Sequence, residues 1–377
     1  MDIGLNEEQK MLKQSAHDFL SRECPKKLVR TLDESDEGYS PDLWRKMAEM
    51  GWMGLAFPEK YGGGGGVFLD LVLLLEEMGY NIVPGPFFST VVLGGLPILM
   101  AGSEEQKKEF ITKISKGEMI LTMALTEPNF GYDAALVTVK ASLQDDSYII
   151  NGTKLFIPDA NVADYMLCVA RTKEGPNLED GITNFLVNAK NPGIKLTLLK
   201  TLARDKQNEV VLDNVRVAGK NILGELEHGW PVIKDTLDRA AIAKCAEMVG
   251  GAQASLDMSV SYAKERVQFD QPIGSFQAIQ HHCANMVIDV ESSRLLTYKA
   301  AWEISDGIPA TMEIAMAKAW TSEAYGRVAL LAHQIFGAIG FTMDHDMHLY
   351  YRRAKVGEVA FGDGDFHRAV VAEQLGL

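Results

Sequence analysis

Leu125-Thr126-Glu127-Pro128-Asn129-Phe130-Gly131-Tyr132-Asp133 is the stretch on which the fold turns. It follows an apolar run, Met119 to Leu125, that reads as a buried strand. It then breaks into a Pro/Gly turn. A strand ending this way presents main-chain N–H and C=O groups and a Thr hydroxyl to a planar polar ring, without side-chain charge. A second piece of the same kind follows, Lys154-Leu155-Phe156-Ile157-Pro158-Asp159-Ala160, with an aromatic able to pack on a ring system.

Around these stretches the chain changes character twice. Residues 1–117 read as helical. Asn6 with Gln9 makes a capping pair, Ser40-Pro41 opens a second helix that Gly51 stops, and Ser103 with Gln106 caps another. The glycine run Gly62 to Gly66 is a break between helices, since it lacks the G-K-[ST] ending of a phosphate loop. Residues 118–226 read as short strands, with Asn151-Gly152 as a hairpin turn between two β-rich runs. Several short strands in succession suggest a small antiparallel barrel or sandwich. Residues 227–377 return to long helices, over 240–265, 279–305 and 311–336, able to pack as a bundle. The fold class expected is therefore α+β: a helical N-terminal domain, a β-barrel middle domain and a helical C-terminal bundle.

Composition narrows the function. The 377 residues are 47% hydrophobic and 23% charged, with a formal net charge of −14. An acidic chain argues against general binding to nucleic acid or an anionic membrane surface. No run of 18 uncharged apolar residues is present, so no membrane span is expected, and Met1-Asp2-Ile3-Gly4 does not read as a signal peptide. A cytoplasmic protein is the expectation. The cysteines, Cys24, Cys168, Cys245 and Cys283, form no C-x-x-C pair and read as reduced core thiols. His345 and His348 sit three apart and could share a helix face with Asp344, but nothing else clusters with them or with His367, and they are not read as a metal site.

T-E-P-x-x-G-x-D followed by N-G-x-K-x-(aromatic)-I resembles the flavin-binding middle domain of the acyl-CoA dehydrogenase family, and the helix–strand–helix order extends the resemblance to nearly the whole chain. It implies FAD as cofactor, an acyl-CoA thioester as substrate, and an electron-transfer flavoprotein as electron acceptor. It also implies that the FAD is shared between the middle domain of one subunit and the bundle of another, in a homotetramer or a heterotetramer with a paralogue. The flavin-side contacts would be Leu125, Thr126, Gly131, Tyr132, Phe156 and Pro158. In the bundle, Arg266-Val267-Gln268-Phe269-Asp270-Gln271-Pro272-Ile273 with Gln277 resembles one family segment, and Gln334-Ile335-Phe336-Gly337-Ala338-Ile339-Gly340 resembles another. There Arg266, Phe269, Gln277, Gln334, Gly337 and Ala338 would hold the pyrophosphate and adenine; a guanidinium matches phosphate by a forked, charge-assisted bond.

Several positions depart from the family pattern. Asp270 and Ala338 replace glycines, Tyr132 a serine, Phe156 a tryptophan and Pro158 a threonine. Pro158 brings neither a hydroxyl nor a backbone donor, so one or two flavin hydrogen bonds should change.

The chemistry the resemblance implies is removal of a proton α to the thioester carbonyl, with hydride passing from the β carbon to flavin N5. It needs a carboxylate in a dry pocket. The usual glutamate position falls on Phe361, and a minority position on the first bundle helix falls on Ala240. Neither accepts a proton. Three readings stay open: a displaced base, with Asp363 the candidate; elimination at other carbons; or a heteromer in which a sister chain carries the base. Phe88, Ser89, Ala240 and Phe361 are expected around the acyl group, in a flat apolar cavity suited to a cyclic one.

Overall fold

The computed structural model describes residues 4–129, 131 and 133–377. They divide into two compact units. One combines the chain up to Val29 with Val67–Val83 and Ala241–Leu377; the other combines Arg30–Gly66 with Pro84–Ala240.

The first unit is helical: α1 (Glu7–Glu23), α2 (Phe68–Asn81), α3 (Trp230–Glu265, which enters the unit at Ala241), α4 (Gln277–Ser305), α5 (Thr311–Phe336), α6 (Met347–Val359) and α7 (Gly364–Gln374). The α1 cap forms as expected, with Gln9 N–H donating to Asn6 Oδ1 at 2.8 Å and Asn6 N–H to Gln9 Oε1 at 3.1 Å. Leu71 to Leu75 of α2 are fully buried, and two acids directly follow them. Glu76 accepts from Lys13 (2.8 Å), Arg294 (3.1 Å) and Tyr298 (2.5 Å), tying α1, α2 and α4 together. Burial alone would raise the Glu76 carboxyl, but Lys13 and Arg294 outweigh it and hold the group below its ordinary range.

The second unit carries a mixed sheet. Its strands are β1 (Leu121–Ala124), β2 (Lys140–Gln144), β3 (Ser147–Pro158), β4 (Tyr165–Arg171), β5 (Ile182–Asn188), β6 (Ile194–Leu199), β7 (Gln207–Ala218) and β8 (Ile222–Leu223). The hydrogen-bonded order is β6-β7-β3-β2-β4-β5-β8, with β1 beside β4. This corrects the expected antiparallel barrel: the ladder runs from β6 to β8 without closing on itself, and β1 pairs with β4 in parallel. The partner of β1 is reached only after the β2–β3 hairpin, so strands adjacent in sequence are not all adjacent in space. Ile150, Met166, Cys168, Phe185, Val210 and Val215 fill one core between these strands.

The hairpin turn is also corrected. Asn151-Gly152 lies inside β3, not at its end. The reversal falls at Asp145-Asp146, where Gln144 pairs with Ser147 and Asp145 adopts φ 53°. Asn151 instead stabilises an irregularity in the β3–β7 ladder, its Oδ1 accepting from Asn214 N–H at 2.8 Å. The glycine run is a packing device: the N–H groups of Gly63 to Gly66 donate to the carbonyls of Pro58, Gly54, Phe57 and Leu55, leaving none of them for a phosphate.

Candidate active site

In the sheet unit the two strand ends meet. Leu155 N–H donates to Thr126 O at 2.8 Å, and Lys154 Nζ donates to Leu125 O at 3.0 Å. What locks them is an ion pair whose role the sequence reading missed. Lys154 Nζ lies 2.7 Å from Glu127 Oε1, with both side chains buried. Glu127 further accepts from the Thr138 N–H, the Thr138 hydroxyl and the Val139 N–H. Burial opposes its charge, but Lys154 overcomes that and holds the Glu127 carboxyl below its ordinary range. The signal was present in the motifs themselves: the Glu of T-E-P and the Lys of N-G-x-K are charges at otherwise apolar strand ends.

Leu125, Thr126 and Gly131 line one small pocket together with Glu127, Leu136 and Trp230. The Thr126 hydroxyl has no hydrogen-bond partner among the described residues. Phe156 stands at a bulge between Lys154 and Ile157, with φ 55° and 47% of its surface exposed. Pro158 O accepts from the Thr122 hydroxyl at 2.6 Å. Tyr132 lies outside the described residues. An exposed aromatic face beside an available hydroxyl and strand-end backbone fits a flavin ring. In the same unit Phe88 is half-buried, while Ser89 is buried and donates to Asp159 Oδ2 at 2.6 Å.

In the helical unit, Val267–Gln268 and Gln271–Pro272 form a small hairpin whose two-residue loop is Phe269-Asp270. Both loop residues have positive φ, 55° and 64°. The family's Gly suits such a loop, and Asp is among the few other residues that tolerate it. The departure at Asp270 is therefore locally consistent. Ala338 is consistent too: it is exposed and its φ is not positive, whereas Gly337, at φ 64° and ψ −141°, holds a conformation open essentially to glycine alone. The Tyr262 and Phe336 rings, 4.8 Å apart, pack the last turn of α3, just before Arg266, against the second motif segment. Arg266, Gln277 and Gln334 are exposed, and their side chains have no hydrogen-bond or ion-pair partner among the described residues. Uncommitted donors of this kind, next to a glycine with open space around it, fit a pyrophosphate and a base edge.

The base positions are equally explicit. Ala240 is fully buried on α3. Phe361 follows α6 at φ 57° and is half-buried, and Gly362 continues the turn at φ 95°. Asp363 is exposed and caps α7, accepting from Phe366 N–H at 2.9 Å. That is a helix-capping task in solvent, not the dry setting of a general base. Two further groups were not singled out from sequence. Lys318 of α5 is fully buried behind the turn, and Asp238 of α3 is lifted by burial to about 6.

Three family models cover this chain: acyl-CoA dehydrogenase N-terminal domain over residues 6–118, middle domain over 122–215 and C-terminal domain over 227–376. The chain belongs to the acyl-CoA dehydrogenase family, FAD-containing oxidoreductases acting on CH–CH groups. The Bacillus subtilis protein named "Probable acyl-CoA dehydrogenase YngJ" is 36% identical over the full length of both chains. The structure of butyryl-CoA dehydrogenase from Megasphaera elsdenii matches with a TM-score of 0.93 and 32% identity, covering 100% of each chain. A chain of the ChsE4-ChsE5 complex from Mycobacterium tuberculosis matches with a TM-score of 0.91 and 30% identity, over 100% of this chain and 99% of that one.

Proposed function

We propose that this chain is the FAD-holding, base-free subunit of a heteromeric acyl-CoA dehydrogenase, working with a paralogue that carries the catalytic glutamate. The observation that carries this is the combination at the two base positions. Phe361 and Ala240 accept no proton, and the nearest carboxylate in sequence to Phe361, that of Asp363, caps a helix in solvent. On the flavin and nucleotide sides, by contrast, Thr126, Gly131, Arg266, Gln277, Gln334 and Gly337 keep the residue types of the family pattern, with departures at Tyr132, Phe156, Pro158, Asp270 and Ala338. A chain selected to hold FAD but not to abstract the α proton is what a division of labour between sister subunits requires. The similarity to a chain of a two-protein complex supports the same reading.

When bound, FAD supplies the hydride acceptor. This chain's residues then do the holding. Leu125, Thr126, Gly131 and Phe156 would face the ring, with Pro158 at the strand end and Tyr132 in the same motif. Arg266, Phe269, Gln277, Gln334, Gly337 and Ala338 would hold the pyrophosphate and adenine across a subunit boundary in a tetramer. Electrons would leave to an electron-transfer flavoprotein. The acyl group would be a cyclic one, with Phe88, Ser89 and Ala240 of the sheet unit toward it; fastest flavin bleaching by palmitoyl-CoA in an acyl-CoA panel would contradict that choice.

Purification from the native source tests the heteromer. The expected result is a tetramer of two chains with FAD; a yellow homotetramer with full turnover would overturn it.

A further inference from the structure

Lys318 forms no direct ion pair among the described residues, although the carboxylates of Asp363 and Glu358 act on it from further off. Its Nζ donates to Ser322 Oγ (2.8 Å), Gly357 O (3.1 Å), Glu358 O (3.1 Å) and Gly362 O (2.8 Å), and all four partners are uncharged. A desolvated ammonium is costly, and an aliphatic side chain would fill the same space without that cost. What the ammonium does there is visible in its partners. Two are carbonyls in the last turn of α6, which have no intrahelical donor. The third is Gly362, in the turn that follows.

That turn is overdetermined. Phe361 and Gly362 are consecutive left-handed residues, and Phe is poorly suited to positive φ. The Phe361 carbonyl accepts from His367 Nε2 at 2.9 Å. A Cβ added to Gly362 would lie 2.5 Å from Phe366 and 2.6 Å from His367. Burial pushes the His367 imidazole down to about 4, so the ring stays neutral near pH 7 and donates through Nε2–H. Both carbonyls of the turn are thus gripped from inside the helical unit. A strained conformation held from several sides is a feature from which function can be inferred.

We propose that Lys318 is a positioning residue: its ammonium, with the His367 imidazole, fixes the Phe361–Gly362 turn and so sets where the side chain at residue 361 is presented. The proposal deepens the functional reading, since it rests on residue 361 occupying the family's base position. In this chain the turn presents a phenyl ring. In a glutamate-bearing relative of the same geometry it would present the carboxylate.

The test is amide hydrogen exchange on the FAD-loaded protein, read on a peptide spanning residues 356–367. Lys318→Met should accelerate exchange there by at least about tenfold while the amides of α5 keep their protection. Unchanged exchange in a folded Lys318→Met protein overturns the proposal. If that variant does not fold, the wild type serves. Lys318 is lowered to about 8 by burial, with Cys245 and Lys244 of α3, Glu358 of α6, Asp363 and His367 of α7 as its ionisable neighbours. Deprotonation leaves two N–H donors for four acceptors, so protection of the peptide, corrected for intrinsic exchange, should fall as pH rises through about 8. A flat profile from pH 7 to 9 overturns the proposal. Phe361→Glu tests the underlying reading separately. It should create flavin bleaching by a CoA ester, and adding Lys318→Met should remove most of that gain with FAD content unchanged. No gain from Phe361→Glu would remove the base-position reading and leave the exchange data to judge Lys318. A gain that survives Lys318→Met would overturn the positioning role.

Discussion

Lys154 and Glu127 show how a single buried pair of residues can fix two strand ends against each other. The pair is buried, each charge has further hydrogen bonds, and together they hold Leu125 and the Thr138–Val139 backbone in place. Lys154→Met should therefore cost about 3–5 kcal/mol, because it strands a buried carboxylate; urea denaturation measures this. Adding Glu127→Gln should recover part of the loss, as the stranded charge is removed. Asp238 gives a pH-dependent case. Its folded value of about 6 lies above the ordinary 3.8. The stability it lends is fully present below the ordinary value and is lost as pH rises through about 6. Above that the fold carries a desolvated charge. Asp238→Asn should accordingly stabilise the protein at pH 8 by about 1 kcal/mol, discounted for partial exposure, and by less at pH 5. Thermal melts at the two pH values decide, and a larger gain at pH 5 would contradict the assignment.

At the scale of elements, local signals were legible and pairings were not. The Asn6–Gln9 and Ser103–Gln106 boxes, the Ser40 cap and the long bundle helices could be read because each depends on residues within a few positions of one another. The Asn151-Gly152 turn was misread because the same dipeptide suits a bulge, and only the distant strand β7 decides between them. The parallel seat of β1 against β4 was hidden for the same reason. At the candidate site, the motif stretches stand out in the sequence by their residue pattern, whereas Lys318 does not, since its partners lie some forty residues away on α6 and the next turn. The Phe269-Asp270 loop yields a test at this scale. Asp270→Val should cost about 1–2 kcal/mol, because a β-branched residue resists positive φ, while Asp270→Gly should be neutral or stabilising. Asp363→Ala should cost about 1 kcal/mol through the lost α7 cap. It should leave the turnover of the assembled enzyme unchanged, a result that steady-state kinetics beside a melting curve can check.

At the scale of the whole molecule, the chain reads as a flavoprotein subunit built for company. Among the described residues no helix is long and apolar enough to cross a membrane. α4 leaves Ile288 and Leu295, two turns apart on one face, largely exposed, and Phe269 and Phe341 are more exposed still. Exposed apolar faces of this sort are expected where copies or paralogues meet. The central claim is that FAD is held here while the proton acceptor comes from elsewhere. Anaerobic titration of the FAD-loaded chain with acyl-CoA esters, alone and then assembled with its glutamate-bearing paralogue, tests it most directly. The expected result is a flavin spectrum that no ester bleaches in the chain alone and that bleaches once the paralogue is present. Full bleaching of the chain by itself would contradict the claim.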